Sequence, residues 1–262
     1  MNARPKKSFG QHFLHDQRYI DRIVSALAPR VDDFVLEIGP GEGALTLPLL
    51  KAAGKLTAVE LDTDLIPALQ ARAAAFGELH VIQADVLKVD FTAIAHSHGV
   101  AQLRIAGNLP YYISSPILFH CVEHAAAIRD MHFMLQKEVV DRMAAAPGSK
   151  VYGRLSVMLQ LACRVESLFE VPPQAFRPPP KVDSAVVRLV PLQPHERHDA
   201  DPRHVHAVVK AAFGQRRKTL SNALGQLLDA EAIRRAEVDP RARAETLAPA
   251  DFVRLAKICA QR

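Results

Sequence analysis

Phe34-Val35-Leu36-Glu37-Ile38-Gly39-Pro40-Gly41-Glu42-Gly43-Ala44 is the stretch from which the fold can be read. Phe34 to Ile38 is an apolar run of strand length, and Gly39 bounds it. Glycines at 39, 41 and 43 let the backbone turn tightly and let a ligand approach it closely. A helix is predicted from Ala44 to Gly54, a glycine placed to end it. Outward from there the alternation repeats. Leu56 to Val59 is a second strand, ending in Glu60 and Asp62, and Asp64 to Phe76 is helical. His80 to Ile82 is a third strand with Asp85 just past it, and Leu103 to Ala106 is a fourth, followed by a helix from Ser115. Met131 to Leu135 is a fifth strand, followed by a helix around Glu138 to Ala146. Strands that alternate with helices in this way make an α/β fold, a doubly wound and mainly parallel sheet.

At the N-terminal end, Ile20, Ile23, Val24 and Leu27 recur at helical spacing after Asp16, an N-cap, and Pro29 closes the segment. Downstream, a helix around Leu155 to Ala162 precedes strand-like runs at Val165 to Val171 and Ala185 to Val190. Between those runs, Phe176-Arg177-Pro178-Pro179-Pro180-Lys181-Val182-Asp183-Ser184 is too proline-dense for regular structure and is expected to be a shaped loop. Pro191 to Pro202 is polar and turn-rich, and residues 203–262 show helical patterning only. We therefore expect two domains, an α/β domain over 1–195 and a small all-helical one over 196–262.

The chain has 262 residues, 49% of them hydrophobic, enough for one sizeable core and a smaller lobe. The net charge of +5 favours an anionic partner such as nucleic acid. Cys121, Cys163 and Cys259 lie far apart without a C-x-x-C, so neither a disulfide framework nor a zinc site is expected. No apolar run approaches membrane-spanning length, and Met1-Asn2-Ala3-Arg4-Pro5-Lys6-Lys7 lacks the apolar core of a signal peptide. A cytoplasmic chain, not associated with a membrane, is expected.

The glycine loop, with Ala44 completing G-x-G-x-x-A and Glu60 about twenty residues on, is the pattern of a dinucleotide fingerprint. Taken alone it fits NAD and S-adenosylmethionine equally, because Glu60 would bind ribose hydroxyls in either. Two later features separate them. Asp85 is placed to accept a hydrogen bond from the adenine amino group of S-adenosylmethionine. Asn108-Leu109-Pro110-Tyr111, at the end of the fourth strand, suits a different task, the alkylation of an exocyclic amine. The N6 lone pair of adenine is delocalised into the ring and must pyramidalise to attack a methyl group. An Asn side-chain oxygen and a backbone carbonyl of Leu109 or Pro110 supply two acceptors for its N–H bonds. Pro110 stiffens the turn, and Tyr111 can stack on the base. The ordered series of glycine loop, Glu60, Asp85 and Asn108 reads as a methyltransferase, and S-adenosylmethionine is the expected cofactor.

With these residues in hand, the chain resembles the bacterial ribosomal RNA adenine N6-dimethyltransferases that modify two adjacent adenosines near the 3′ end of 16S ribosomal RNA. The resemblance runs nearly end to end. It rests on Gly10-Gln11-His12-Phe13-Leu14-His15-Asp16, Leu36-Glu37-Ile38-Gly39-Pro40-Gly41, Asn108-Leu109-Pro110-Tyr111-Tyr112 and Gln136-Lys137-Glu138-Val139. It also includes the Phe176–Ser184 loop and Phe213-Gly214-Gln215-Arg216-Arg217-Lys218-Thr219-Leu220. It implies a Rossmann-like class I methyltransferase fold, with His12, Leu14, Gly39, Gly41, Glu60, Asp85 and Asn108 binding S-adenosylmethionine. It further implies that Phe176 covers the target base opposite Tyr111, so the candidate catalytic set is Asn108, Leu109, Pro110, Tyr111 and Phe176. Family members commonly carry Asn where His12 stands, and an imidazole would make that contact pH-sensitive. The related large-subunit resistance methyltransferases tend to carry Asn-Ile-Pro and Val-Asn-Ser, whereas this chain has Asn108-Leu109-Pro110 and Val182-Asp183-Ser184.

The implied partner is 16S ribosomal RNA in the small subunit or its precursor. Basic clusters at Arg4, Lys6 and Lys7, at Arg177 and Lys181, and at Arg216, Arg217 and Lys218 are candidates for phosphate contact. His120 and His124 lie four apart but lack a third ligand in register, so no metal site is expected. The remaining readings are an RNA-binding assembly factor without turnover and a nicotinamide oxidoreductase. Nothing in the sequence calls for an obligate oligomer, and a monomer is expected.

Overall fold

A computed structural model describes residues 12–215 and 217–261. The chain forms two compact units, residues 1–140 with 166–191 and residues 141–165 with 192–262. The expected boundary at 195/196 therefore misplaces residues 141–165. Of that segment, Ala145, Tyr152 and Val157 are buried in the helical core, while Cys163–Val165 begins a strand of the sheet.

The first unit is built on a seven-stranded sheet. It comprises β2 (Val35–Ile38), β3 (Lys55–Glu60), β4 (Glu78–Gln83), β5 (Leu103–Asn108), β6 (Ile128–Gln136), β7 (Cys163–Val171) and β9 (Ser184–Pro191) in the order β4-β3-β2-β5-β6-β9-β7. Pairings from β4 through β6 are parallel, and β9 joins β6 antiparallel, with Phe133 opposite Val187. Helices α1 (Gln17–Leu27), α2 (Thr46–Ala53), α3 (Ile66–Ala73), α4 (Phe91–Ser97) and α5 (Ser114–Glu123) alternate with the parallel strands. The strand order reverses beside β2, which is where such sheets hold ligands. Every residue of β2 is buried, which is why it reads as an unbroken apolar run but for Glu37.

Local chemistry sets the element ends. The Asp16 carboxylate caps α1 by accepting from the Arg18 amide, and Gly54 ends α2 at φ 77° with its amide on the Leu50 carbonyl. Gly107 has a steric reason: a Cβ there would lie 2.6 Å from the Ile38 carbonyl oxygen, so β5 can pass β2 only without a side chain. At the opposite end of the strands Arg104 ties the layers together. It grips Asp130 through two bonds of 2.9 and 2.8 Å, Asp33 at 2.8 Å and the Leu27 carbonyl at the end of α1 at 2.7 Å. A paired, fully bonded arginine of this kind is the form in which a buried charge is tolerated.

One pairing was not foreseen. Phe13–Leu14 (β1) and Phe176–Arg177 (β8) form a separate two-stranded antiparallel sheet, with Leu14 opposite Phe176. The expected irregular loop thus begins with a strand, and it clamps the N-terminal segment.

The second unit is helical: α7 (Arg154–Gln160), α8 (Pro202–Gly214), α9 (Leu220–Ala223), α10 (Ala230–Arg235) and α11 (Pro249–Cys259), with α6 (Lys137–Met143) ending in it. Its core holds Val208, Val209, Leu224, Ile233 and Leu255, with Phe213 stacked on Phe252 at 5.6 Å. Buried Tyr152 satisfies its hydroxyl by donating to the Leu247 carbonyl at 2.9 Å. No described helix is long and apolar enough to cross a membrane.

Candidate active site

A cavity of about 1080 Å³, counted out to its open mouth, lies at the C-terminal ends of β2, β3, β4 and β5. Its wall includes His12, Leu14, Gly39, Gly41, Glu60, Asp85, Asn108, Leu109, Pro110 and Tyr111. The strand ends thus bring into one site residues spread over about a hundred positions of sequence. Phe176 is the exception. It is 2% exposed, packed in the core with Leu14 and Val186, and absent from the cavity wall. The structure does not bring it into the cavity with Tyr111: Phe176 pairs with Leu14 and its aromatic surface is buried.

One side of the cavity is made by backbone. Gly39, Gly41 and Gly43 all have positive φ (67°, 55° and 85°). At Gly41 a Cβ would also lie 3.1 Å from the Phe13 ring, so the loop is narrow as well as left-handed. Glu60, at the end of β3, accepts the Gly41 amide at 3.2 Å and the Asp62 amide at 2.8 Å. Burial raises its pKa above the ordinary carboxylate value, and those amides pull it back down. Asp85 caps the turn Val86–Lys88 through the Leu87 amide at 3.0 Å.

The other side is made by cross-links between distant segments. The Asn108 side-chain NH₂ donates to the His12 carbonyl at 2.9 Å. A carbonyl only accepts, so the amide nitrogen must face His12, and Oδ1 is left as the acceptor. The His12 ring donates from Nδ1 to the Pro178 carbonyl at 2.8 Å and stacks on Tyr111, with centroids 5.7 Å apart. The Tyr111 hydroxyl meets the buried Ser184 hydroxyl at 2.7 Å, and burial raises its pKa. Leu109, 1% exposed, anchors the turn, with its amide on the Met134 carbonyl at 3.1 Å.

Glu37 was missed as a site residue. It lies on the cavity wall, 1% exposed, and its Oε2 has no hydrogen-bond partner among the described residues. Burial, with the nearby Glu60 charge adding to it, pushes its pKa up to about 8. The signal was present in the sequence: a lone carboxylate within an otherwise apolar parallel strand. Phe13, Asp62 and Tyr112 also line the cavity without having been named. The histidine pair is accounted for locally, with His120 Nε2 donating to the Val89 carbonyl at 2.8 Å and His124 Nδ1 3.0 Å from the Thr92 hydroxyl.

Comparison with known proteins now decides the family. The profile of the ribosomal RNA adenine dimethylases matches residues 2–261. The chain belongs to that family. It is 61% identical over 257 residues to "Ribosomal RNA small subunit methyltransferase A" of Xanthomonas oryzae pv. oryzae, covering 98% of this chain and 97% of that one. Among solved structures, a dimethyladenosine transferase from Plasmodium falciparum superposes with a TM-score of 0.80 at 26% identity, over 93% of this chain and 96% of that one. The 23S rRNA methyltransferase ErmE superposes with a TM-score of 0.71 at 26% identity, over 95% of this chain and 100% of that one. As a member of the dimethylase family, the protein is an S-adenosylmethionine-dependent methyltransferase that dimethylates adenine in ribosomal RNA.

The cavity fits that donor. Its left-handed glycine loop leaves room that side chains would fill, and Glu37 Oε2 is a buried polar atom on the wall without a partner among the described residues.

Proposed function

We propose that the protein converts two adjacent adenosines near the 3′ end of 16S ribosomal RNA into N6,N6-dimethyladenosines during assembly of the small subunit, acting in the cytoplasm as a monomer. The observation that carries this reading is the orientation of Asn108: its amide nitrogen is engaged by His12, so Oδ1 is the free acceptor at the end of β5. The high identity to a small-subunit methyltransferase, against 26% to ErmE, supports the choice of ribosomal subunit.

S-adenosylmethionine supplies an electrophilic methyl group on a sulfonium. His12, Leu14, Gly39, Gly41, Glu60, Asp85 and Asn108 hold it: the glycines by close backbone approach, Glu60 through ribose hydroxyls, and Asp85 through the adenine amino group. Asn108 Oδ1 accepts one N–H of the target amine. The second acceptor is the carbonyl of Leu109 or of Pro110, the latter also accepting the Ile113 amide at 3.2 Å through one of its two lone pairs. Together they orient the nitrogen lone pair toward the methyl group, and proximity with orientation supplies most of the acceleration. Tyr111 stacks on the base swung out of its helix. No strong base is needed, because the alkylated nitrogen is acidic and loses its proton to solvent.

The helical unit contributes phosphate contacts through Arg217 and Lys218, which are exposed beside Thr219. Arg4, Lys6, Lys7 and Arg216, the other tail and N-terminal cations, lie outside the described residues. The deciding experiment is labelled methyl transfer to unmethylated small-subunit particles, followed by mapping of the modified bases. Label on two neighbouring adenosines close to the 3′ end is expected. Label elsewhere in the particle, or none, overturns the assignment.

A further inference from the structure

Tyr112 is the large aromatic at the cavity that the mechanism leaves unused. It lines the same cavity as Tyr111 yet is 57% exposed, whereas its neighbour is half-buried with its hydroxyl on Ser184. Both belong to the single 3₁₀ turn Tyr111–Ile113, where successive side chains point about 120° apart. Tyr111 is therefore directed into the wall and Tyr112 out toward the mouth. No protein group takes the Tyr112 hydroxyl among the described residues, so nothing in the fold explains an aromatic at this position.

Nucleic-acid physics supplies a reason. Swinging one base out of a stack breaks two stacked faces, its own and its neighbour's, at a cost of a few kcal/mol. Tyr111 restores the first face. We propose that Tyr112 restores the second, forming a subsite for the nucleobase next to the target. The ligand class is a purine or pyrimidine ring, bound by stacking without base-specific readout. Exposed Arg177 and Lys181 belong to the loop that Pro178 and Ser184 fasten to His12 and Tyr111. They offer phosphate contacts. Where the base on that side of the target is the second adenosine, it occupies the Tyr112 subsite while the first is methylated. This inference rests on the adenosine reading given above.

The test compares the unaltered protein with Tyr112→Leu and Tyr112→Phe. A short RNA hairpin carries one target adenosine, with 2-aminopurine replacing the adenosine beside it, and its fluorescence reports stacking. The unaltered protein and Tyr112→Phe quench the probe on binding, whereas Tyr112→Leu does not. On unmethylated small-subunit particles, Tyr112→Leu raises the KM for RNA roughly tenfold, as expected for the loss of one base–aromatic stack. Tyr112→Phe stays within about twofold, and calorimetric affinity for S-adenosylmethionine is the same in all three. Equal quenching by Tyr112→Leu, or a loss in Tyr112→Phe as large as in Tyr112→Leu, overturns the subsite. Failure of the unaltered protein to methylate the particles breaks the adenosine reading and removes the subsite with it.

Discussion

The glycine loop and the Asn108 loop follow neighbouring parallel strands, yet they are held by different means. Around the glycine loop the shape comes from backbone conformation, three left-handed glycines fastened by Glu60 from the adjacent strand. Around Asn108 the shape comes from bonds to segments far away in the chain: Asn108 to His12 across 96 positions, Tyr111 to Ser184 across 73, and His12 to Pro178 across 166. The first side is shaped by local backbone conformation and one bond from the adjacent strand. The second depends on bonds from the N-terminal segment and the proline loop to the strand end. On the roles proposed above, the glycine-loop side serves the donor alone, whereas the Asn108 side serves the target and, through His12 and Asn108, the donor as well.

The strongest way to break this contrast is Asn108→Ala. It removes the acceptor and the link to His12 together, and we expect turnover to fall by ~100-fold, the usual cost of losing one preorganised polar partner of a reacting group. Donor affinity, measured by titration, falls much less, because the glycine loop, Glu60 and Asp85 persist. Methyl transfer within tenfold of wild type would falsify the role given to Asn108.

A smaller effect sharpens the other side. Glu37 lies in β2 beneath the glycine loop, and its carboxyl is pushed up to about 8 by burial. A raised carboxyl binds its proton in the folded state across a range where the unfolded chain has lost it. Its stabilisation is complete below the ordinary value of 4.5 and is lost as pH rises through about 8. Glu37→Gln stays neutral throughout. The variant is expected to melt several degrees above wild type at pH 9, a gain of ~2 kcal/mol, with the difference closing toward pH 5. His132, buried on β6 and lowered to about 4, works in the opposite sense, because its stabilisation is present above 6.5 and lost as pH falls through 4. A Glu37→Gln gain that does not vary with pH would mean that the carboxyl is ionised in the fold.

What was legible in the sequence follows the same division. The inner parallel strands were readable because a strand buried on both faces is a local apolar run, and the glycines because a positive φ leaves a local signature. The placement of Asn108 and Glu60 at strand ends, and of Asp85 just past one, was readable because it follows from the strand pattern. The β1–β8 pairing was not, since two-residue strands carry no periodicity and their partners lie far apart in the chain. The burial of Phe176 was hidden for that reason: without the register to Leu14, no local feature tells an inward aromatic from an outward one. The allegiance of residues 141–165 was hidden likewise, because an amphipathic helix shows that it has a buried face but not which core receives it.

The finest probe of the Asn108 side is the Tyr111–Ser184 bond. Ser184 is fully buried at the start of β9, and Tyr111 is half-buried, so each hydroxyl is the other's main partner. Tyr111→Phe keeps the ring and its stacking on His12 but strands the Ser184 hydroxyl, and Ser184→Ala does the reverse. Each single change is expected to cost ~1 kcal/mol, about fivefold in kcat/KM for RNA, with donor affinity unchanged. If the bond orients the ring, the second substitution costs little once the first is made, and the double variant loses about fivefold in all. If Tyr111 acts only as apolar surface, Tyr111→Phe costs nothing, and target recognition does not depend on the distant loop that delivers Ser184.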